Sequence, residues 1–410
     1  MLNALWIGFF LVAFGASVLQ FLGGDPTVFG AVMKAAFESA KTAFEVALGL
    51  TGVMCLWLGV MKIGEQAGFL SVLGRWLAPL FSRLFPEVPQ GHPALGSITM
   101  NMAANVLGLD NAATPMGLKA MKELQELNPD KDTASNAQIL FLVINASSVT
   151  LLPVTIFTYR AQLGAADPTD VFIPILMATY CSTLAGFLFV AAVQRIRLDG
   201  VLLAWLGGIT AVVGGLAFWF ASLPAAEMTV RSSVLSNFLL LALIVTFLIG
   251  AAWKRVNAYE AFIEGAKEGF HTAVGIIPYL VAMLVAIGML RASGALPAFV
   301  ESARAGVAWL GFDTAWVEAL PTMVMKPLSG SGARAMMIET MQASGADSFA
   351  GRLASIVQGS TETTFYVLAV YFGSVGIKRV RHAVAGGLVA DLGGFAAAVA
   401  AAYLFFGAAA

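Results

Sequence analysis

The sequence is short of charge. Of its 410 residues only 11% are Asp, Glu, Lys or Arg, against about a quarter in an ordinary soluble domain. That excludes a soluble globular protein. Cysteine is almost missing: Cys55 and Cys181 both sit in apolar runs, with no disulfide or metal spacing. The three histidines, His92, His271 and His382, are scattered, so no metal set is visible. A net charge of −1 offers nothing to a nucleic acid. No Walker, Rossmann or nucleophile motif appears, so no ATP-driven pump, no enzyme and no cofactor is expected.

What is present is apolar sequence. Hydrophobic residues make up 59% of the chain, and they come in continuous runs of about 20, the length a spanning helix needs. Strands of a barrel would alternate instead. The expected fold is an all-α polytopic membrane protein with about nine spanning helices and two re-entrant hairpins in an inverted repeat. The spans predicted are 2–22, 42–61, 138–159, 171–193, 201–220, 234–253, 272–290, 352–372 and 383–406. The first lacks a basic start and a small-residue cleavage site, so it reads as a span and not a signal peptide. Residues 27–40, 68–85 and 297–309 are mixed or amphipathic and predict interfacial segments, and 257–267 is polar.

Four polar islands interrupt the apolar background. Gly108-Leu109-Asp110-Asn111-Ala112-Ala113-Thr114-Pro115 separates two arms, 94–107 and 116–127, each too short to cross alone. Lys326-Pro327-Leu328-Ser329-Gly330-Ser331-Gly332-Ala333-Arg334 lies inside 314–344 in the same way. Both predict re-entrant hairpins. Asn145–Thr150 and Gln358–Thr364 break two spans. Irregular backbone at membrane depth survives only where it is buried in protein or lines a watery cavity. Interrupted helices in corresponding positions of two halves point to a transporter's binding site.

The halves do correspond. At an offset of 226, Glu38, Ala40, Lys41, Phe44, Ala47 and Gly49 meet Glu264, Ala266, Lys267, Phe270, Ala273 and Gly275, and Gly68 meets Gly294. Shared hydrophobicity does not produce charged identities. Further on, Ser147, Ser148 and Thr150 meet Ser360, Thr361 and Thr363. Five spans separate the start of one half from the start of the other, so the second half is expected upside down. Lys and Arg gather in the loops that are inner if the N-terminus is cytoplasmic, which predicts an external C-terminus.

A charge at the bilayer centre is costly, so Asp110, Lys326, Arg334, Glu362 and Asp391 are informative. They read either as ligands of a solute or coupling ion, or as internal salt bridges pinning the hairpins. Asn101, Asn105, Asn111, Thr114, Asn145, Ser147, Ser148, Thr150, Ser329, Ser331, Gln358, Ser360, Thr361 and Thr363 either cap half-helices or bind the solute. Half-helix N-termini suit an anionic group, and Lys326 and Arg334 add to that preference.

These motifs resemble a known group. Gly108–Met121 resembles the spore maturation protein A family. Lys326–Ser331, Gln358–Thr364 and Tyr371-Phe372-Gly373-Ser374-Val375-Gly376-Ile377-Lys378 resemble the spore maturation protein B family. The chain looks like a fusion of the two, within the nucleoside-recognition or Gate group. Its expected units are 1–198, a linking helix within 199–233, and 234–410. The group is similar in plan to the membrane cores of concentrative nucleoside transporters and ferrous iron transporters. The resemblance implies a multi-pass protein of a bacterial plasma (inner) membrane, surrounded by lipid, with a midplane solute site between the hairpins. A nucleoside-like and a small anionic solute, with a coupling ion, both fit, and so does a homo-oligomer. The alternative it carries is a non-transporting scaffold or assembly factor.

Overall fold

The computed structural model describes residues 2–107, 110–147, 152–196 and 198–407, with backbone alone at 2, 110–112, 225, 226 and 229. The first half runs α1 (Leu2–Leu22), α2 (Val28–Gln66), α3 (Phe69–Leu84), α4 (Pro93–Val106), α5 (Asp110–Leu127), α6 (Asn136–Ala146), α7 (Val154–Gln162) and α8 (Phe172–Gln194). A single helix, α9 (Gly200–Ala221), leads to the second half. That half repeats the order: α10 (Ala225–Lys254), α11 (Ala258–Ala292), α12 (Ala295–Trp309), a 3-10 turn (Ala315–Ala319) running into α13 (Leu320–Met325), α14 (Gly330–Ser344), α15 (Phe349–Ser360), α16 (Thr364–Ser374) and α17 (Ala383–Phe406).

Seven of these helices are long and apolar enough to cross a membrane among the described residues. The pairs α6–α7 and α15–α16 are spans broken in the middle, and α4–α5 and α13–α14 are the two hairpins. Capping explains where several begin. Ser135 and Gln138 form a capping box at α6, Asp199 caps α9, Asn257 caps α11, and Ser348 caps α15.

Two expectations need correcting. Residues 27–40 are not a separate interfacial segment but the start of α2, which runs unbroken for 39 residues. Likewise 257–267 belongs to the 35-residue α11. Charge was a poor guide to a helix boundary here. Lys34 pairs with Glu38 and Lys41 with Glu45, each at i,i+4 on one exposed strip of a continuous helix. Neither segment contains a proline that would end it.

The repeat is inverted, and the packing of equivalent helices shows it. Against α2, Gly288 of α11 lies on Ser39, Gly269 on Met54 and Cys55, and Phe262 on Gly59. As α2 advances, α11 retreats: equivalent helices run antiparallel. The same holds for α8 and α17, where Ser182 meets Gly394, Gly186 meets Ala390, and Gln194 meets His382. Small residues at these crossings let the backbones close up, since hydrophobicity alone gives helices in lipid no reason to associate. The peripheral helices are exchanged between halves. Trp6 Nε1 on α1 donates to the Ala282 carbonyl of α11 at 3.0 Å, while Phe247 of α10 packs on Gly64 of α2. Gly68 and Gly294, matched by the offset, both take left-handed φ (83° and 72°) at the sharp turns into α3 and α12. Glycine meets that requirement without strain.

Candidate functional site

The two breaks meet. The Glu362 amide donates to the Ala146 carbonyl at 2.8 Å, joining the break of α15–α16 to the last turn of α6. The tip of the second hairpin reaches the same place. The Phe365 amide, one residue into α16, donates to the Pro327 carbonyl at 3.0 Å. The first hairpin is tied in by its α4 arm. Asn105 Nδ2 donates to Asn145 Oδ1 of α6 at 3.0 Å, and Asn101 Nδ2 donates to the Ala113 carbonyl at 2.7 Å, holding α4 to α5.

The first-half contribution is neutral. Asn101, Asn105 and Asn145 form one amide network, and Tyr371 of α16 joins it by donating from its hydroxyl to Asn145 Oδ1 at 3.2 Å. Asn145 Nδ2 in turn donates to the Phe141 carbonyl, and the Phe141 ring stacks on Tyr371 at 5.6 Å. Ser147 donates to the Ile144 carbonyl, its hydroxyl lies 3.0 Å from that of Thr183 on α8, and Thr179 donates to the Ser147 carbonyl.

The second-half contribution is charged. Lys326, 3% exposed at the tip of α13, donates from Nζ to the Gln358 carbonyl at 2.8 Å. That carbonyl belongs to the last turn of α15, where a cation is favoured. Ser329 caps α14 by accepting from the Gly332 amide, and its hydroxyl lies 3.2 Å from that of Ser331. Gly330 lets the start of α14 abut the start of α16, because a Cβ there would sit 2.7 Å from Thr363 Oγ1. Two helix N-termini therefore open side by side, next to an ammonium group. That arrangement suits a solute with a negative or strongly polar end. Ser360 donates to the Val357 carbonyl, Thr364 donates to Asp391 at 2.7 Å, and Glu362 is exposed.

Most of the sequence-predicted residues thus converge: Asn101, Asn105, Asn145, Ser147, Lys326, Ser329, Ser331, Gln358, Ser360, Thr361, Glu362 and Thr363. Arg334 does not join them; its guanidinium lies over the Tyr159 ring of α7 at 5.6 Å. Thr114 is exposed on the first turn of α5. Ser148 and Thr150 fall outside the described residues, as do the side chains of Asp110 and Asn111. Sequence reasoning missed Tyr371, Thr179, Ser182 and Thr183 as neighbours of the breaks. Tyr371 stands within a quoted motif; the other three fall in the stretch Thr179-Tyr180-Cys181-Ser182-Thr183 of an otherwise apolar helix.

Beyond the centre, the two halves are pinned at both ends. At one, Arg160 is fully buried and donates to Asp170 at 2.8 Å, to Asp347 at 3.1 Å and to the Ala346 carbonyl at 2.7 Å; Arg352 donates to Asp170 at 2.8 Å. At the other, Arg379 reaches Asp130 at 3.1 Å and Lys378 reaches Asp132 at 3.3 Å, all four exposed.

Antiparallel twin helices, paired hairpins and facing broken spans define a class: polytopic membrane proteins built as an inverted repeat around a polar centre. Within that class, residues 47–163 and 273–378, together more than half of the chain, match the Gate family, described as nucleoside recognition. The chain belongs to that family. It is also similar to two separate proteins of Bacillus subtilis (strain 168). Spore maturation protein A is 42% identical over 157 residues, 38% of this chain and 80% of that protein. Spore maturation protein B is 45% identical over 177 residues, 42% of this chain and 98% of that protein. The two cover different parts of the chain, as a fusion requires. No solved structure matches.

Proposed function

We propose that the protein is a secondary permease whose solute site lies where the hairpin tips meet the two helix breaks. The observation that carries this is the Glu362 to Ala146 hydrogen bond between the breaks. It brings four interrupted elements from two inverted halves to one place, the arrangement in which rocking of one half against the other gives alternating access. The solute's polar end faces Lys326 and the N-termini of α14 and α16, with Glu362, Ser329, Ser331 and Thr363 around it. The family description makes a nucleoside the first solute to try, and the positive end of the site makes a small anion the second. The first face, where α1 starts, is cytoplasmic, and α17 ends outside, in the inner membrane of a bacterium. The excess of Lys and Arg on the first face supports this orientation.

A second reading has its own support. Asn101, Asn105, Asn145 and Tyr371 satisfy one another, as a purely structural pin would. In that reading the protein is a scaffold or assembly factor, and the polar centre only fixes the fold.

Uptake into proteoliposomes of labelled uridine, adenosine and inorganic phosphate separates the two. The permease reading expects uptake of at least one, lost on Lys326→Met and reduced in Glu362→Gln. If neither substitution changes the uptake that is found, the site is elsewhere. If no solute enters and a partner protein co-purifies equally well with both variants, the scaffold reading stands.

A further inference from the structure

A cleft runs down the side of the second half, between α1, α12 and the second hairpin. Its rim, about 230 Å³, is lined by Arg291, Glu301, Glu318, Glu339, Thr340 and Ser344 among others. Its deeper part, about 270 Å³, is lined by apolar side chains that include Phe9, Val12, Phe299, Val324 and Met325. Leu296, Pro321 and Met336 line both parts, so the two are one space. Position follows polarity. Arg291 is in the last turn of α11 and Ser344 ends α14, whereas Phe9 and Val12 lie midway along α1. The cleft is polar where helices end and apolar toward the middle of the bilayer.

The rim holds one buried acid. Glu339 on α14 is 8% exposed. Its Oε1 pairs with half-exposed Arg291 at 2.7 Å, and among the described residues Arg291 is its one partner. That leaves Oε2 unused at the wall of the cleft. The last turn of α14, at Ala343 and Ser344, adds partial negative charge to the same wall. Arg304 occupies the other two acids, pairing with Glu301 at 3.0 Å and with Glu318. The equivalent place in the first half differs. There α3 and the exchanged helix α10 form a cleft lined by Phe69, Val72, Trp76, Leu107 and Phe247, with no charged residue on its wall among the described residues. Of the two twin clefts, only the second sets an ion pair over an apolar floor.

We propose that the second-half cleft binds a phospholipid whose headgroup ends in a primary ammonium, phosphatidylethanolamine. The ammonium donates to Glu339 Oε2 and the phosphate lies by Arg291. An acyl chain follows Phe299 and Val324 down to Val12 and Phe9. A zwitterionic headgroup answers the ion pair group for group. Phosphatidylglycerol has the same phosphate and chains but offers Glu339 no cation, and it brings an uncompensated negative charge to a rim with three carboxylates. The chain rests on α13, whose Met325 adjoins Lys326, so a bound lipid braces the second hairpin against α1. The site does not rest on the permease reading.

The test uses the purified full-length protein, stripped of lipid in detergent. Dioleoyl phosphatidylethanolamine, dioleoyl phosphatidylglycerol or free ethanolamine is added, and the thermal unfolding midpoint is followed. The expected result is a saturable rise with phosphatidylethanolamine. Its half-saturating concentration should lie at least about tenfold below that of phosphatidylglycerol, the difference one charge-assisted hydrogen bond makes. Ethanolamine should give no rise. Glu339→Gln should bring the two lipids together. Val12→Trp, which fills the apolar part and leaves the ion pair, should weaken both lipids, and Val72→Trp, in the first-half cleft, should change neither. If Glu339→Gln does not fold, the two Trp variants decide. No rise with phosphatidylethanolamine, an equal response to both lipids, or an undiminished preference in Glu339→Gln overturns the proposal. So does a loss in Val72→Trp as large as that in Val12→Trp. A rise with ethanolamine alone replaces the lipid with a soluble amine.

Discussion

The two ends of the seam between the halves are built at equivalent places and in opposite settings. At one end, the loop before α15 meets the loop after α7 through Arg160, which is fully buried between Asp170 and Asp347. At the other, the loop before α6 meets the loop after α16. There the ion pairs are exposed, and the backbone does much of the joining: Lys378 and Arg379 amides donate to the Asp132 carbonyl, and the Ala134 amide donates to the Arg379 carbonyl. A buried charge that loses its partner is strongly destabilising, whereas an exposed pair contributes little. The Arg160 end is therefore stiff and the Arg379 end loose. Under the proposed rocking of one half against the other, this inequality decides which side parts more readily.

The largest test of that inequality is Arg160→Met, which leaves buried Asp170 with Arg352 alone and takes the donor from Asp347 and the Ala346 carbonyl. It should cost about 3–5 kcal/mol of stability, read by denaturant unfolding in mixed micelles. A loss below about 1 kcal/mol would make the two ends alike. Next, hydrogen exchange by mass spectrometry should show the amides of Ala134, Lys378 and Arg379 exchanging at least about tenfold faster than that of Ala166, which donates to Asp347. Equal protection would break the comparison. Third, Arg379→Met should leave the unfolding midpoint where it is, while opening the Ala134 and Arg379 amides further to exchange.

The smallest effect is that of pH. Hydrogen bonding from Thr133, helped by Arg379, holds the Asp130 carboxyl below the usual carboxylate range. A carboxyl depressed in the folded state contributes stability above its unfolded pKa, about 3.9, and loses it as pH falls through the folded value. Burial pushes the Asp170 carboxyl up, against the pull of Arg160 and Arg352. Its contribution has the opposite sign: present in acid and lost as pH rises through its raised pKa. Acidification below about pH 4 should thus loosen the Arg379 end first. Exchange that rises equally at both ends would contradict the assignment.

Much of this plan was legible because polar islands stand out against an apolar background. Pro327, Gly330 and Gly332 cannot belong to a plain span, and the structure places a hairpin tip there. The charged matches Glu38 to Glu264 and Lys41 to Lys267 disclosed the repeat, and crossing parity gave its inversion before any packing was known. What escaped were properties of neighbourhoods. Ser182 and Tyr371 sit in unbroken helical stretches, so only the partners brought up by the fold give them meaning. Asp391 was visible as a charge at depth, but the hydroxyl that meets it, Thr364, comes from another element. The start of α2 was misplaced because i,i+4 ion pairs resemble a change of environment when read along the chain, and that of α11 because Glu264 answers Lys62 of α2, a partner the sequence does not show.

The shared hydrogen bond between the breaks bears on how the protein is made. When the first half leaves the ribosome, the Ala146 carbonyl at the end of α6 waits for a donor that lies more than two hundred residues downstream. Until Glu362 arrives, the polar centre of the first half is unfinished in an environment that offers no water to finish it. Two separate chains would have to find each other by diffusion in the bilayer to complete it. One chain, joined through α9, delivers the second half at a fixed ratio of one to one and at a high effective concentration. The same helix supplies the odd crossing that turns the second half over. A version cut in the loop before α9 would retain the contacts and lose the guarantee of partnership, so its yield should depend on the balance and level of the two pieces.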